Sequence, residues 1–409
     1  MHKRIVITGL GIISPIGIGR EEFWKALEEG RSGIKSITRF DTNEFKAKLA
    51  GEVSDFKPAD FLGEKVTKDF NRTTRFLCSA AKLALEESGL TINEENTDDF
   101  GVCTGTTLSS LWNIAEFDRE VIKDGPLFTN VALFPGTVVN AASSQVSILF
   151  NVQGFNATIS TGFTSSLDAL KYAVDFIKLG RAKAVILGAV ETLATANFIG
   201  FYNLGFLAGI KGEEISCPFD KRRNGIILSE GAAVVIIEDA EYAEKRKARI
   251  LAEIKGVSTY FDAYRMGRYQ SEAKGLKESM KGALKNSRLK TSDISYIAAA
   301  ANSVVEQDKL ETYAIKEVFS RLAHKVPVSS IKSNLGELFS AAGLMQMASA
   351  VGSINRNFIP ATINYRIKDP ECDLDYVTNR SRQTKVNNIL INNSGPGGNN
   401  ASCVVSRYH

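Results

Sequence analysis

Phe155-Asn-Ala-Thr-Ile-Ser-Thr-Gly-Phe-Thr-Ser-Ser-Leu-Asp-Ala-Leu170 is the stretch from which the fold can be read. Its first five residues read as a strand. Ser160-Thr161-Gly162 reads as a tight turn of small residues. Leu167, Leu170, Val174 and Ile177 then recur at helical spacing, with Gly180 as the stop. A strand, a turn and a helix start hold residue 163 at the positive end of a helix, a place that favours a thiolate. The residue there is Phe163. An aromatic ring can neither attack a carbonyl nor carry an acyl group. The local architecture belongs to an enzyme, and the residue at its focus does not.

The same alternation extends both ways. Strands are predicted at 4–8, 100–104, 155–159, 182–188 and 232–237, and again at 250–258, 294–301, 326–331, 388–392 and 402–405. Helical patterns lie between them, at 71–88, 165–179, 272–286 and 308–320. Such alternation predicts an α/β fold with central parallel strands. The charged stretch Ala240–Arg249 divides it into halves of residues 1–245 and 250–409. One helix, predicted from Glu337 to Ile354, is crowded with Ala, Gly, Ser and Met and nearly uncharged, as expected of a buried central helix. Two glycine-rich spots are not nucleotide cradles. Gly9-Leu-Gly11 is followed by Ser14-Pro15 where a dinucleotide fingerprint wants glycine, and Asn393-Ser-Gly-Pro-Gly-Gly-Asn-Asn400 lacks Lys-Ser/Thr. The second reads as tight backbone against a neighbouring site.

Bulk composition narrows the classes. The 409 residues are 44% apolar, ample for a large core. Net charge is +4 without a basic tract, which argues against a nucleic-acid partner. Cys78, Cys103, Cys217, Cys372 and Cys403 form no CxxC pair and read as reduced thiols of a cytoplasmic protein. The opening residues already read as a strand, so no signal peptide is expected, and no apolar run reaches membrane-spanning length. The three histidines are His2, His324 and His409; His324 reads as an exposed helix-end residue. A mechanism needing two clustered histidines is excluded within this chain. No cofactor or metal is called for.

Taken in order, these pieces resemble the elongating, type II β-ketoacyl-acyl-carrier-protein synthases. The resemblance rests on Val6-Ile-Thr-Gly-Leu-Gly-Ile-Ile-Ser-Pro-Ile-Gly17, Leu133-Phe-Pro-Gly-Thr-Val-Val-Asn140 and Cys217-Pro-Phe-Asp-Lys-Arg-Arg-Asn-Gly225. It continues through Leu228-Ser-Glu-Gly-Ala-Ala233, Val328-Ser-Ser-Ile-Lys-Ser333, Ala341-Ala-Gly343 and Cys372-Asp-Leu-Asp-Tyr-Val377. It implies a thiolase-like fold of two pseudo-repeated halves, each with a five-stranded mixed sheet layered with helices, and a dimer. The family's working positions are replaced. Phe163 stands for the nucleophilic cysteine, Ala300 for the first histidine and Glu337 for the second. Asn302 and Val304 replace the threonines that hold the pantetheine arm, and Ser394 and Pro396 replace the gating phenylalanines. Lys332 is retained. Loss of one oxyanion donor alone typically costs about 10²–10³ in rate. Lys332 is expected to pair with Asp308 or Glu311, and Glu337 to cap or to pair with Lys332; Phe163 is expected to plug the former acyl pocket.

The resemblance therefore implies a chain-length-factor-like subunit that is not catalytic alone. It would form a heterodimer with an active ketosynthase in type II polyketide, polyene or fatty-acid-like synthesis and shape the acyl tunnel. The segment from Thr106 to Phe117 matches the part of the family that crosses the dimer axis. Ser109, Trp112 and Glu116 are its candidate tunnel residues, with interface packing the alternative for Trp112. Lys65, Lys68 and Arg72 are candidates for docking an acidic acyl carrier protein, or form a solvated basic face. Two alternatives remain: a homodimer that binds acyl chains or proteins, and an acyltransferase with a relocated nucleophile, Ser165 or Cys103, using Glu337 as base.

Overall fold

The computed structural model describes residues 3–108, 110–265 and 267–409. Ten strands form the main path of one mixed sheet: β1 (Ile5–Ser14), β2 (Phe100–Gly105), β3 (Asn156–Ile159), β4 (Ala184–Glu191), β5 (Gly231–Asp239), β6 (Ala252–Phe261), β7 (Tyr296–Ala298), β8 (Val328–Ser329), β9 (Asn388–Ser394) and β10 (Asn399–Ser406). Their order is β8-β7-β9-β10-β6-β1-β5-β4-β2-β3, and a short strand, Gly17–Ile18, pairs with β1 as the eleventh.

The order contains a repeat. In the first five strands β1 pairs antiparallel with β5 and β5 antiparallel with β4, while β4–β2 and β2–β3 are parallel. In the last five, β6–β10 and β10–β9 are antiparallel, and β9–β7 and β7–β8 are parallel. The two sets have one pattern of directions. They join edge to edge where β1 pairs antiparallel with β6, Ile5 opposite Ile254 and Ile7 opposite Ala252. The two expected five-stranded sheets are thus hydrogen-bonded into one.

Helices α1 (Arg72–Ser88), α3 (Ser165–Lys178), α4 (Lys274–Ser287), α5 (Val305–Phe319) and α6 (Ala342–Arg356) pack on the sheet, while α2 (Leu111–Asp124) lies off it, against the turn Val131–Thr137. Alternate residues of β4 and β5 face opposite cores. Val185, Leu187, Val235 and Ile237 pack with Leu167, Leu170, Leu344 and Met347 of α3 and α6. Ile186, Val234 and Ile236 pack with Phe76, Leu77 and Ala84 of α1. The core around α3 and α6 also takes Ile389, Ile391 and Val405, so both strand sets share it. Strands buried on both faces need continuous apolar runs, which is why these segments stood out in the sequence.

Gly9 and Gly11 serve packing. A Cβ at Gly11 would lie 1.7 Å from the carbonyl oxygen of Ala80, and one at Gly9 2.2 Å from that of Ala84. These glycines let α1 lie directly on β1. Gly256 of β6 does the same for α4, where a Cβ would lie 2.4 Å from the Ala283 carbonyl oxygen. The buried central helix starts at Ala342, five residues later than expected. Gly336 (φ 85°) and Phe339 (φ 46°) break the path before it.

Candidate functional site

Phe163 sits in a single 3-10 turn, Gly162–Thr164, between β3 and α3. The turn and helix start are held by hydroxyls. Ser165 Oγ lies 2.6 Å from the Gly162 carbonyl and accepts the Thr161 N–H at 2.9 Å. Thr164 Oγ1 donates to Asp168 at 2.7 Å, and Thr161 Oγ1 donates to the same carboxylate. The ring of Phe163 is buried against Phe339, edge-on at 5.0 Å between centroids, and Phe201 at 6.5 Å. Phe201 and Phe339 stack on each other at 4.9 Å. The glycine turn after β9 closes the other side: a Cβ at Gly395 would lie 2.7 Å from Phe163 Cγ. Phe163 is buried in this aromatic cluster. Its partners Phe201 and Phe339 come from distant segments with no local signal.

Beyond this aromatic wall lies a polar centre. Lys332 and Glu337 are each 1% exposed and form an ion pair, Nζ to Oε2, at 2.8 Å. Lys332 Nζ also donates to the Ala300 carbonyl at 2.9 Å. Glu337 accepts from Asn302 Nδ2 at 2.8 Å and, through Oε1, from the Phe339 N–H at 2.9 Å. Lys332, Glu337 and Asn302 therefore satisfy one another, as buried charge requires. Glu337 both pairs and caps. Asp308 and Glu311 do not pair with Lys332, contrary to expectation. Asp308 lies 3.8 Å from Arg223 and accepts the Asn302 and Phe219 N–H groups. Glu311 accepts the Ala300 and Ala301 N–H groups at 2.9 and 2.8 Å. Burial raises Asp308 to about 6 and Glu311 to about 7. Both carboxylates fix the backbone around Ala300, whose methyl offers no donor.

A further carboxyl, Glu191 at the end of β4, went unnoticed in the sequence. It is fully buried and accepts from Ser340 Oγ at 2.5 Å and from the Thr107 N–H. Thr107 Oγ1 in turn donates to the Gly162 carbonyl at 3.0 Å. Burial raises Glu191 to about 7. An acid ending an otherwise apolar strand run was the signal that could have found it.

Neither relocated nucleophile is poised. Ser165 Oγ is spent on the turn, and Glu337, its supposed base, is held by Lys332. Cys103 points at the Ala169 carbonyl, and burial pushes its thiol up to about 12. Among the described residues no three of His, Cys, Asp and Glu converge to hold a metal ion.

The docking and tunnel candidates divide. Lys65 and Lys68 are exposed on a short helix, Glu64–Thr67, and its C-terminal cap. Arg72 does not join them. Its guanidinium turns inward to Glu230, at 2.9 Å through Nε, and to the Val53 carbonyl. Trp112 is 47% exposed on the first turn of α2, and Glu116 pairs with Arg119 one turn later. Ser109 falls outside the described residues. Trp112 belongs to a run of exposed apolar residues that includes Leu127, Phe128, Val131, Phe134 and Ile148. β3 is the last strand on its side of the sheet. No single helix among the described residues is long and apolar enough to cross a membrane.

The fold and the turn at residue 163 define a thiolase-like ketosynthase scaffold. Residues 2–243 match the β-ketoacyl synthase N-terminal domain and residues 251–366 its C-terminal domain; the chain belongs to the β-ketoacyl synthase family. It is 38% identical to 3-oxoacyl-(acyl-carrier-protein) synthase 2 of Coxiella burnetii over 99% of each chain. It is 32% identical to the tetracenomycin polyketide synthase ketoacyl synthase alpha subunit of Streptomyces glaucescens, over 99% of this chain and 97% of that one. Among solved structures, the ishigamide ketosynthase/chain length factor superposes over the full length of both chains with a TM-score of 0.93 at 29% identity. A type II polyketide acyl-carrier protein in complex with its ketosynthase gives 0.92 at 28%, again over both full lengths.

Proposed function

We propose that this chain is a ketosynthase-like subunit that does not condense acyl units alone. It pairs with an active ketosynthase in type II polyketide, polyene or fatty-acid-like synthesis and lends its surface to the acyl tunnel, as a chain length factor does. The observation that carries this is Phe163, seated in the nucleophile turn and walled in by Phe201, Phe339 and Gly395. Condensation needs a nucleophile to hold the acyl group and donors for the enolate oxygen. Phe163 supplies no nucleophile and Ala300 no side-chain donor. Glu337, when ionised, accepts hydrogen bonds and does not donate them. The exposed apolar residues around Trp112 and the place of β3 at the end of the sheet support pairing, and the likeness to a ketosynthase/chain length factor supports the kind of partner. Lys65 and Lys68 are the residues we assign to the acidic carrier.

The test is incubation of the isolated chain with acyl-carrier and malonyl-carrier substrates, beside the chain co-expressed with an active type II ketosynthase. No β-ketoacyl product from the chain alone, with product and co-purification in the pair, is the expected outcome. Product from the isolated chain overturns the reading. The same apolar face would also fit a second copy of this chain. Native mass spectrometry distinguishes that case, since a stable homodimer that ignores the synthase would favour it.

A further inference from the structure

Each half of the sheet has one helix laid directly on a strand through glycine, α1 on β1 and α4 on β6, so α1 shows what that packing alone asks of α4. On α1 the one lysine, Lys82, pairs with Glu86 at 3.1 Å. Helix α4 differs. Lys274, Lys277, Lys281 and Lys285 recur at spacings of three, four and four, which puts them within about 80° of the helix's circumference along about 16 Å of its length. Arg288, at positive φ (58°) in the C-terminal cap, and Lys290 prolong the row. The helix's one acid, Glu278, pairs with Lys281 at 2.9 Å, and Lys277 lies over the Tyr313 ring at 5.1 Å. Residues 274–290 thus hold six of the chain's 50 Lys and Arg but one of its 46 Asp and Glu, a net of +5 against +4 for the whole chain. These cations are dispersed in sequence, and only the winding of α4 gathers them. Like charges three and four residues apart work against a helix. Neighbouring α5 avoids this, with Lys309 paired to Glu371 and Lys316 to Asp373. At its far end the row meets a cavity of about 170 Å³ whose wall includes Lys3, Arg4, Lys178, Lys255 and Arg288. Its one carboxylate, Glu253, serves both Arg4 and Lys255, and Lys3 turns to Asp239. The exposed Leu179 follows Lys178.

We propose that the outer side of α4 and the basic cavity at its end form one face that rests on an anionic lipid surface, with lipid phosphates as its counter-ions. Clusters of basic residues bind such surfaces through the field of many headgroups. The make-up of the row favours lipid over a folded partner. Protein interfaces are built on aromatic residues and arginine and are depleted in lysine. Here the row itself is lysine with no aromatic residue, and a lysine is a point charge on a flexible stem, suited to phosphates that move. The helix does not enter the hydrocarbon, because its apolar side, Leu276, Met280, Ala283 and Leu284, is spent on β6 and β10. The face is separate from the apolar residues around Trp112, and the inference does not depend on whether the chain condenses or pairs.

The full chain is sedimented with vesicles of phosphatidylcholine alone and with vesicles of equal parts phosphatidylcholine and phosphatidylglycerol, at low and at physiological salt. It should bind the mixed vesicles, less tightly as salt rises, and leave the neutral ones unbound. Lys274→Gln/Lys281→Gln/Lys285→Gln should bind the mixed vesicles about a hundredfold more weakly, at about fivefold per cation. All three side chains are exposed, so its melting temperature should not fall. Lys65→Gln/Lys68→Gln removes exposed lysines from the other half and should bind like the parent. Equal binding to both vesicles, binding to neither, or a triple variant that binds like the parent overturns the proposal. So does an equal loss in the Lys65→Gln/Lys68→Gln variant. Tighter binding of an acyl carrier protein or of duplex DNA than of the mixed vesicles, lost in the triple variant, would assign the face to that partner and overturn it as well.

Discussion

At the scale of the residue, Lys332 is the place to probe. Its ammonium is buried on Glu337 and the Ala300 carbonyl. Removing one partner of such a pair strands the other charge, which typically costs about 3–5 kcal/mol. Lys332→Met should therefore lower stability by about 3 kcal/mol. Lys332→Met with Glu337→Gln should recover at least half, because the amide oxygen can still accept from Asn302 or Phe339 with no charge left over. Denaturant unfolding of the two variants checks this, and equal losses would contradict it. Lys332 was legible from its motif and Glu337 among its expected partners; what the sequence misplaced were Asp308 and Glu311, which hold the backbone around Ala300 instead. Gly336, just before Glu337, and Phe339, just after it, take positive φ, a backbone path that spacing alone does not announce.

At the scale of the element, the run from β4 through Glu191 couples the sheet to the loop before α2. Burial raises the Glu191 carboxyl from 4.5 to about 7. The folded chain thus keeps a proton that the unfolded chain has released, so this group's contribution to stability falls as pH rises from about 4.5 to about 7 and is level above that. In Glu191→Gln the contribution is absent. Melting temperatures across that window should vary less than in the parent, although Asp308 and Glu311 keep part of the slope in both. An unchanged slope would show that Glu191 is not the titrating group. All ten strands of the main path were legible, because doubly buried strands read as apolar runs such as Ala184-Val-Ile-Leu187. The start of α6 was not, because Glu, Leu, Phe, Ser and Ala at 337–341 suit a helix, whereas Gly336 and Phe339 take positive φ and Glu337 is drawn to Lys332. Arg72 misled for a related reason: a basic residue beside Lys65 and Lys68 in sequence turns inward to a carboxylate 158 positions away.

At the scale of the whole molecule, the exposed apolar residues from Trp112 to Ile148 are the face we propose a partner covers. Ile148→Lys places a charge in that face and should reduce co-purification with an active ketosynthase by about tenfold or more without lowering the melting temperature of the isolated chain. Undiminished capture would put the contact elsewhere. Trp112→Ala enlarges the space beside α2 and should lengthen the products of the pair, read by mass spectrometry; unchanged length would leave Trp112 as packing alone.

The interlocked trio of Lys332, Glu337 and Asn302 also bears on ancestry. Histidine at 337 by itself would abandon a buried ammonium, and cysteine at 163 would hollow out the aromatic wall. Each single step toward the residues of a condensing enzyme thus crosses a less stable intermediate. On the proposed reading, drift in such a lineage is ratcheted, and a condensing enzyme should not emerge from it one codon at a time.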